Sequence, residues 1–281
     1  MTETAPVNPL LPLLPSDLPI SDSLISDHLR SLTPARVALR KSGTSIATTE
    51  LLDFQLAHAR ARDAVHAQLQ PASLLAELRT LLNPIQGPRE VLLLHSGAPD
   101  RQTYLQRPDL GRKLDTGSLQ RLQNYPRSSL NFDLSIVIAD GLSALAVERH
   151  VILLLAALLP ALHQTTPEMQ LAPICIVEQG RVAVADEVAQ TLSAALVVIL
   201  IGERPGLSSP DSLGAYITWQ PQPGRTTDAD RNCISNIREE GLPYPQAAAR
   251  LLHYIDQARA RQLSGVALKD PDIRPALEDT A

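Results

Sequence analysis

The pentapeptide Gly202-Glu203-Arg204-Pro205-Gly206 places a carboxylate and a guanidinium between two glycines. Proline favours a turn, and glycine lets the backbone approach a ligand closely. The Glu203 carboxylate can accept hydrogen bonds from hydroxyl or amide groups of a ligand. A salt-bridged turn explains the same residues without any ligand. Taken alone, the segment therefore predicts a polar turn and leaves open whether it binds anything.

Two further segments carry residues that could contact a ligand. Gly180-Arg181-Val182 follows an apolar, β-rich run at 173–178, and Cys233 lies in a turn-rich stretch at 230–245. A lone cysteine is commonly a small buried hydrophobe, so Cys233 is either a packing residue or a contact. With only two cysteines the chain has no disulfide framework. This predicts that the protein resides in the reducing cytosol.

Several common chemistries lack their motifs in this sequence. It contains no GxGxxG after the first predicted strand, no GxxxxGK[ST], no GxSxG and no DxHxxG. The histidines are scattered and neither cysteine belongs to a CxxC, so we expect no metal bound directly by this chain. No nucleophile and base stand in a recognisable spacing. If the protein serves catalysis, we therefore expect it to supply binding surface rather than reacting groups.

Strands and helices alternate from Asp133 onwards. Apolar helices at 144–159 and 186–192 separate the β-rich runs, and a last helix covers 245–263. This alternation predicts an α/β fold with a mostly parallel, Rossmann-like sheet flanked by helices. Ligands of open parallel sheets bind at the carboxyl ends of the strands, so the glycine-containing loops there predict a cofactor-binding edge. The predicted strands are 134–139, 173–178, 195–201 and 215–219.

The chain divides into four predicted segments. Residues 1–20 form a Pro-rich extended tail. Residues 21–125 form a mainly helical N-terminal region that also contains a short strand at 90–95. Residues 126–268 form the α/β domain, and 269–281 form a loose polar tail. One helix face of the N-terminal region carries an apolar stripe of Leu51, Phe54, His58, Ala61 and Val65.

Composition argues against two kinds of partner. A net charge of -5, with no run of basic residues, disfavours nucleic acid and anionic membrane surfaces. The apolar runs at 151–159 and 194–202 are shorter than the ~20 residues that span a bilayer. Three hypotheses remain: a subunit that supplies binding surface, a stand-alone module for a nucleotide or phosphorylated metabolite, and a structural adaptor.

Six motifs occur in an order that resembles one known family, the small (light) subunit of ethanolamine ammonia-lyase, from about Ala35 to Gly265. The resemblance implies a lyase that converts ethanolamine to acetaldehyde and ammonia with adenosylcobalamin. It implies further that a large TIM-barrel subunit holds ethanolamine and the catalytic groups. The motifs are ARVALRKSG at 35–43, LLDFQLAHARARDAV at 51–65, YLQRPDLGRKL at 104–114, VIADGLS at 137–143, GERPGLSSPDSL at 202–213 and DRNCISNI at 230–237.

The resemblance also implies roles for parts of this chain. Cobalamin contacts of the family match Val182, Glu203 and Cys233, and no catalytic residue is expected here. Residues 126–268 would bind cobalamin while 21–125 would dock on the large subunit. The missing DxHxxG suits a family that keeps the cofactor's own dimethylbenzimidazole on cobalt. Some members carry a longer N-terminal extension that targets a bacterial microcompartment, so two locations stay open, the cytoplasm at large and such a compartment within it.

Overall fold

The computed structural model describes residues 22–33, 36–39, 41–83, 90–126 and 131–269. The tail predicted at 1–20, and all but the first residue of the tail predicted at 269–281, lie outside these ranges. The chain forms two compact units, Met1–Leu56 and Ala57–Ala281.

Short elements make up the described part of the first unit. They are α1 (Asp22–Ser31), the antiparallel pair β1 (Lys41–Ser42) and β2 (Ser45–Ile46), and the beginning of α2 (Thr48–His66). Arg30 links them, because its Nη2 lies 3.0 Å from Glu50 Oε1 and donates to the Ala38 carbonyl at 2.9 Å. This guanidinium therefore connects α1 to the beginning of α2.

A six-stranded sheet with helices on both faces forms the second unit, which confirms the α/β class. The strand order is β3-β5-β4-β6-β7-β8. The strands are β3 (Val91–His95), β4 (Phe132–Ala139), β5 (Ile174–Glu178), β6 (Ala194–Gly202), β7 (Leu213–Trp219) and β8 (Arg231–Ile237). The helices are α3 (Pro71–Leu82), α4 (Arg101–Gln106), α5 (Thr116–Gln123), α6 (Ala144–Thr165), α7 (Val184–Leu192) and α8 (Tyr244–Arg261).

The sheet is mixed, and the prediction of a mostly parallel, Rossmann-like sheet is not confirmed. β3, β5, β4 and β6 pair in parallel, whereas β7 and β8 are added antiparallel. A parallel crossover needs a dozen or more residues, usually with a helix. The connections at 203–212 and 220–230 are shorter and hold no α-helix. β8 itself falls in the stretch that the sequence predicted as turn-rich, and β3 precedes the predicted domain boundary at 125/126.

Strand alternation gives the sheet two apolar faces. Ile136 and Ile138 pack in one cluster with α3, α6 and α8. Val137 and Ala139 point to the opposite side and pack with α5 and α7. We call this second side the α7 face.

Helix α6 runs through the core of the first face. The helix has 22 residues, and an 18-residue stretch of it has a mean hydropathy of 1.9, so it is long and apolar enough to cross a membrane by length and composition alone. Leu154, Leu155 and Leu158 are nevertheless fully buried within the protein. The helix continues past Pro160, where the sequence analysis ended it. Pro160 lies on the exposed side of α6, where the carbonyl left without a donor can bond to solvent.

Candidate functional site

In the part of the chain that the structure describes, the α7 face is exposed over β8 at Cys233 and partly exposed over β7 at Tyr216. Leu213, Ala215 and Ile217 pack with the first face, so Gly214 and Tyr216 point to the α7 side. Helix α7 itself packs on β4 and β6, which lie on one side of β7. We call the surface of β7 and β8 on this side the open face.

Glu203 lies across the upper end of the open face. It directly follows β6, and its Oε2 accepts a hydrogen bond from the Asn236 backbone N–H at 3.1 Å. Its carboxylate passes over Gly214, where an added Cβ would lie 3.0 Å from Oε1. Glycine in β7 therefore lets Glu203 bridge β6 and β8. Within the described residues Arg204 makes no ion pair with Glu203, so the alternative of a salt bridge between these neighbours is not supported.

Cys233 lies beside Tyr216 in the middle of the open face. The two residues are register partners of β8 and β7, and their side chains share a hydrogen bond. Cys233 is exposed as a residue, which excludes the interpretation as a buried hydrophobe. Partial shielding of its thiol is the main cause that raises the pKa of Cys233, and the nearby Glu203 carboxylate raises it further. The thiol is therefore neutral near pH 7.

Val182 lies in the loop between β5 and α7. It is partly buried and packs against the apolar cluster of the α7 face, as Tyr216 does. The structure thus brings Glu203 and Cys233 together on the open face. Val182 stands on the same side of the sheet, at the beginning of the helix next to that surface.

The buried ion pair of Arg101 and Asp140 holds the loop that contains Val182. Asp140 Oδ1 accepts a hydrogen bond from the Gly180 N–H at 3.2 Å, and Arg101 Nη1 lies 3.6 Å from Asp140 Oδ2. Burial raises the pKa of Asp140 to about 6 although Arg101 opposes this shift. Tying the loop backbone to the end of β4 fixes the point from which α7 begins.

A stacked aromatic ring holds the same loop from the side. Two guanidinium groups lie over the Tyr104 ring, with Arg101 Cζ 4.8 Å and Arg181 Cζ 4.5 Å from its centre. The Arg181 N–H also donates to the Gly111 carbonyl at 2.7 Å. Arg181 therefore turns toward the protein, which leaves Val182 as the apolar residue of the loop.

Gly141 and Gly202, predicted to let a ligand approach the backbone, instead allow two segments of the chain to pack closely. The Leu142 N–H donates to the Gly202 carbonyl at 2.9 Å. A Cβ on Gly202 would overlap the Ser143 carbonyl oxygen, and one on Gly141 would overlap the Gly202 carbonyl oxygen. Glycine is required here because the loop after β4 lies directly against the end of β6.

Tyr216 is the residue of the open face that the sequence analysis missed. It was inside the predicted strand AYITW, but nothing in that run indicates which residues face α7 or which strand lies alongside. Within the described ranges, no group of three or more His, Cys, Asp or Glu side chains could hold a metal ion. The open face instead offers a carboxylate acceptor, a phenol and a neutral thiol beside apolar surface. Such a surface suits a large ligand that is apolar in its centre and polar at its rim.

Comparison with known proteins gives one consistent result. Residues 25–269 match the family described as ethanolamine ammonia-lyase light chain (EutC). A protein of Pseudomonas fluorescens named ethanolamine ammonia-lyase small subunit is 58% identical over 245 residues, which cover 86% of each chain. One of Pseudomonas aeruginosa with the same name is 56% identical over 255 residues, 90% of each chain. One of Pseudomonas syringae pv. tomato is 55% identical over 245 residues, 86% of this chain and 82% of that one.

Proposed function

This chain belongs to the ethanolamine ammonia-lyase small-subunit family, and on that premise we propose that it completes an adenosylcobalamin site at an interface with a large subunit. It is a subunit of a lyase. The name that its relatives carry, small subunit, implies a larger partner. The proposal assigns the catalytic groups and most contacts to ethanolamine to that partner.

The observation that carries the proposal is the position of Glu203 and Cys233 on one uncovered sheet face. These are the residues that match family cobalamin contacts, and they stand 30 positions apart in the sequence, counted from their numbers. Val182 packs against the same side of the sheet. A surface that is both open and partly apolar supports binding of a large ligand that a second protein covers from the other side.

The donor chemistry of the open face fits cobalamin. The corrin of cobalamin has a largely apolar carbon framework around its central cobalt and carries amide groups at its rim. Glu203 would accept hydrogen bonds from such amides, Cys233 would contact the ring as a neutral thiol, and Val182 would add apolar contact. When bound, the cofactor supplies the radical chemistry through homolysis of its cobalt–carbon bond. This chain would orient the cofactor and exclude water from its side.

The first unit carries an apolar surface that we assign to docking on the large subunit. Large apolar side chains cluster within eleven consecutive positions, counted from 46 to 56, and all are exposed. Several large apolar side chains exposed in one short segment commonly mark a protein interface. The proposed location of the complex is the cytoplasm, with encapsulation in a microcompartment as the alternative. The exposed residues are Ile46, Leu51, Leu52, Phe54 and Leu56.

Co-expression with a candidate large subunit tests the proposal. We expect a stable complex that keeps adenosylcobalamin through gel filtration, shows the visible absorption of a corrin and deaminates ethanolamine. Alkylation of Cys233, followed by peptide mass spectrometry, should slow when the cofactor is bound. Cys175 is buried, and burial raises its pKa to about 12, so it serves as an unreactive reference.

Three other outcomes would contradict the proposal at different points. A lone chain that binds nucleotides and no large subunit favours a stand-alone binding module. A stable complex that takes up no cobalamin favours a structural adaptor. A loaded complex in which Cys233 reacts as fast as in the empty one removes Cys233 from the site.

A further inference from the structure

A buried ion pair joins helix α7 to strand β8. Arg231 Nη1 and Nη2 lie 2.7 and 2.6 Å from the two carboxylate oxygens of Asp186. Nη1 also donates to Thr218 Oγ1 at 3.0 Å. The side chains of Arg231 and Asp186 are 3% and 1% exposed. This two-pronged geometry is specific to a guanidinium facing a carboxylate.

The pair connects the two segments that carry the proposed cofactor contacts. Asp186 lies in the first turn of α7, four positions after Val182 by residue number. Arg231 precedes Cys233 by two positions in β8, so both side chains leave the strand on the α7 face. Register supports this, because Arg231 pairs with Thr218 and Cys233 with Tyr216.

Apart from this pair, α7 and β8 are connected through the sheet, in which β8 pairs with β7 and β7 with β6. Helix α7 packs on β4 and β6, and the whole of β7 separates β6 from β8. The Arg231 side chain crosses β7 at Thr218 to reach α7. The ion pair therefore spans the base of the open face, with Tyr216 and Cys233 above it and Glu203 at the upper end.

Stability alone is a weak reason for such a pair. Removing two charges from water costs several kcal/mol per ion, so packed apolar residues often stabilise a core as well or better. What the pair supplies beyond packing is a fixed distance and orientation between two elements. Resting on the proposed function, we propose that Asp186 and Arg231 are positioning residues, a clamp that sets the spacing between Val182 and Cys233 and thereby the affinity for cobalamin.

The test uses the complex with the large subunit and adenosylcobalamin itself. Arg231→Lys keeps the positive charge but cannot form both hydrogen bonds to the Asp186 carboxylate. Asp186→Asn keeps the side-chain size but removes the negative charge. We expect each to raise the KM for adenosylcobalamin by about tenfold or more, because misplaced contacts weaken binding. The kcat at saturating cofactor and the KM for ethanolamine should change less than about twofold, since the reacting groups lie elsewhere.

A stability-matched control separates positioning from general loosening. Leu155→Ala removes a fully buried side chain of α6 on the first face, far from the clamp in the layer order. It should lower the free energy of unfolding and leave the KM for adenosylcobalamin unchanged. If Leu155→Ala raises that KM as much as the clamp variants do, the clamp acts only through stability and the inference is wrong.

Thr218→Val keeps the inference testable if the charged variants do not assemble. It removes only the third hydrogen bond of Arg231 and conserves side-chain shape, so it should fold and raise the KM for adenosylcobalamin about two- to fivefold. An unchanged KM in Thr218→Val and in every clamp variant that assembles would overturn the clamp. Failure of the unmodified complex to take up cobalamin would instead overturn the proposed function, which keeps the two failures distinct.

Discussion

The Glu203 carboxylate has two oxygens, and the fold uses them differently. Oε2 holds the Asn236 N–H, while Oε1 makes none of the hydrogen bonds within the described residues. The Oε1 atom of Glu203 on the open face is therefore suited to accept a hydrogen bond from a ligand. The same residue thus contributes to the bridge between β6 and β8 and is available to a ligand.

We expect Glu203→Ala to raise the adenosylcobalamin concentration that gives half-maximal activity. Loss of the acceptor leaves buried donors unsatisfied, which corresponds to about 1–3 kcal/mol in cofactor binding. Glu203→Gln keeps one acceptor oxygen and should have a smaller effect. Titration of activity with cofactor measures both. Arg204→Ala, at the exposed neighbour, is the control, and an unchanged cofactor dependence in Glu203→Ala would remove this residue from the site.

Among the elements, the end of β6 determines where the open face begins. Gly202 lies against the loop after β4 so closely that the two backbones leave no room for a side chain. This contact holds the last residue of β6 in place, and Glu203 follows it directly. A glycine that looks like a ligand-binding feature in the sequence is therefore a packing feature that positions Glu203.

Gly202→Ala should destabilise the protein strongly. Its Cβ would overlap the carbonyl oxygens of Ser143 and Asp140, and overpacking of backbone against backbone costs about 3 kcal/mol or more. Denaturant unfolding measures the change. Gly117→Ala, in helix α5 with only an ordinary contact at 3.7 Å, is the matched control. It should be neutral or stabilise by up to ~1 kcal/mol. Equal effects of the two substitutions would contradict this explanation.

For the molecule as a whole, the exposed apolar side chains of the first unit form the surface that we propose docks on the large subunit. Leu52 and Leu56 are 58% and 51% exposed and stand four positions apart, on one side of α2. Neither contributes much to the core of the isolated chain. Their substitution should therefore affect assembly more than folding.

We expect Leu52→Glu and Leu56→Glu each to weaken association with the large subunit about tenfold or more, since a charge replaces buried apolar surface. The melting temperature of the isolated chain should change little. Leu153→Glu is the control, because Leu153 on α6 is similarly exposed at 49%. Association is measured by titration of one labelled subunit with the other. Weakening by Leu153→Glu alone would assign docking to a different surface.

The pH dependence of stability should include a contribution from Asp140. Its pKa in the folded protein is raised to about 6 from an ordinary value of 3.8, because burial penalises the charged form. A raised pKa favours folding when the group is protonated. This contribution is complete below about pH 4 and is lost as the pH rises through about 6.

The free energy of unfolding of the unmodified chain minus that of Asp140→Asn should therefore fall between pH 4 and pH 7, by an amount on the order of 2 kcal/mol. Denaturant unfolding at several pH values measures this difference. Asp63→Asn, which removes an exposed carboxyl, is the control substitution. A difference for Asp140 that stays constant with pH would mean that Arg101 offsets the whole burial penalty.

Local patterns predicted much of this fold and failed at identifiable places. The runs at 134–139, 195–201 and 215–219 are strands because continuous β-branched and aliphatic residues favour buried strands. Polar residues in DRNCISNI obscured β8, an edge strand with only one face in the core. The last helix was predicted at 245–263, yet it ends at Arg261, and Gln262 takes the left-handed cap with φ 55°. Directly after the cap the chain is held by residues distant in sequence, because Ser264 Oγ accepts from the Trp219 N–H at 2.9 Å and the Gly265 N–H donates to Asn232 Oδ1 at 2.7 Å.

By itself the sequence determined the α/β class, the positions of most strands and the family, because periodicity and ordered motifs are local properties of a chain. It also pointed to Glu203 through the composition of one turn. Only the tertiary structure decided that β7 and β8 run antiparallel, that Tyr216 stands beside Cys233, and that Arg231 reaches Asp186. Those facts depend on strand register and on contacts such as the last one, which joins residues 45 positions apart. Pairing across such a distance is set by the packing of the whole sheet, so no local pattern determines it.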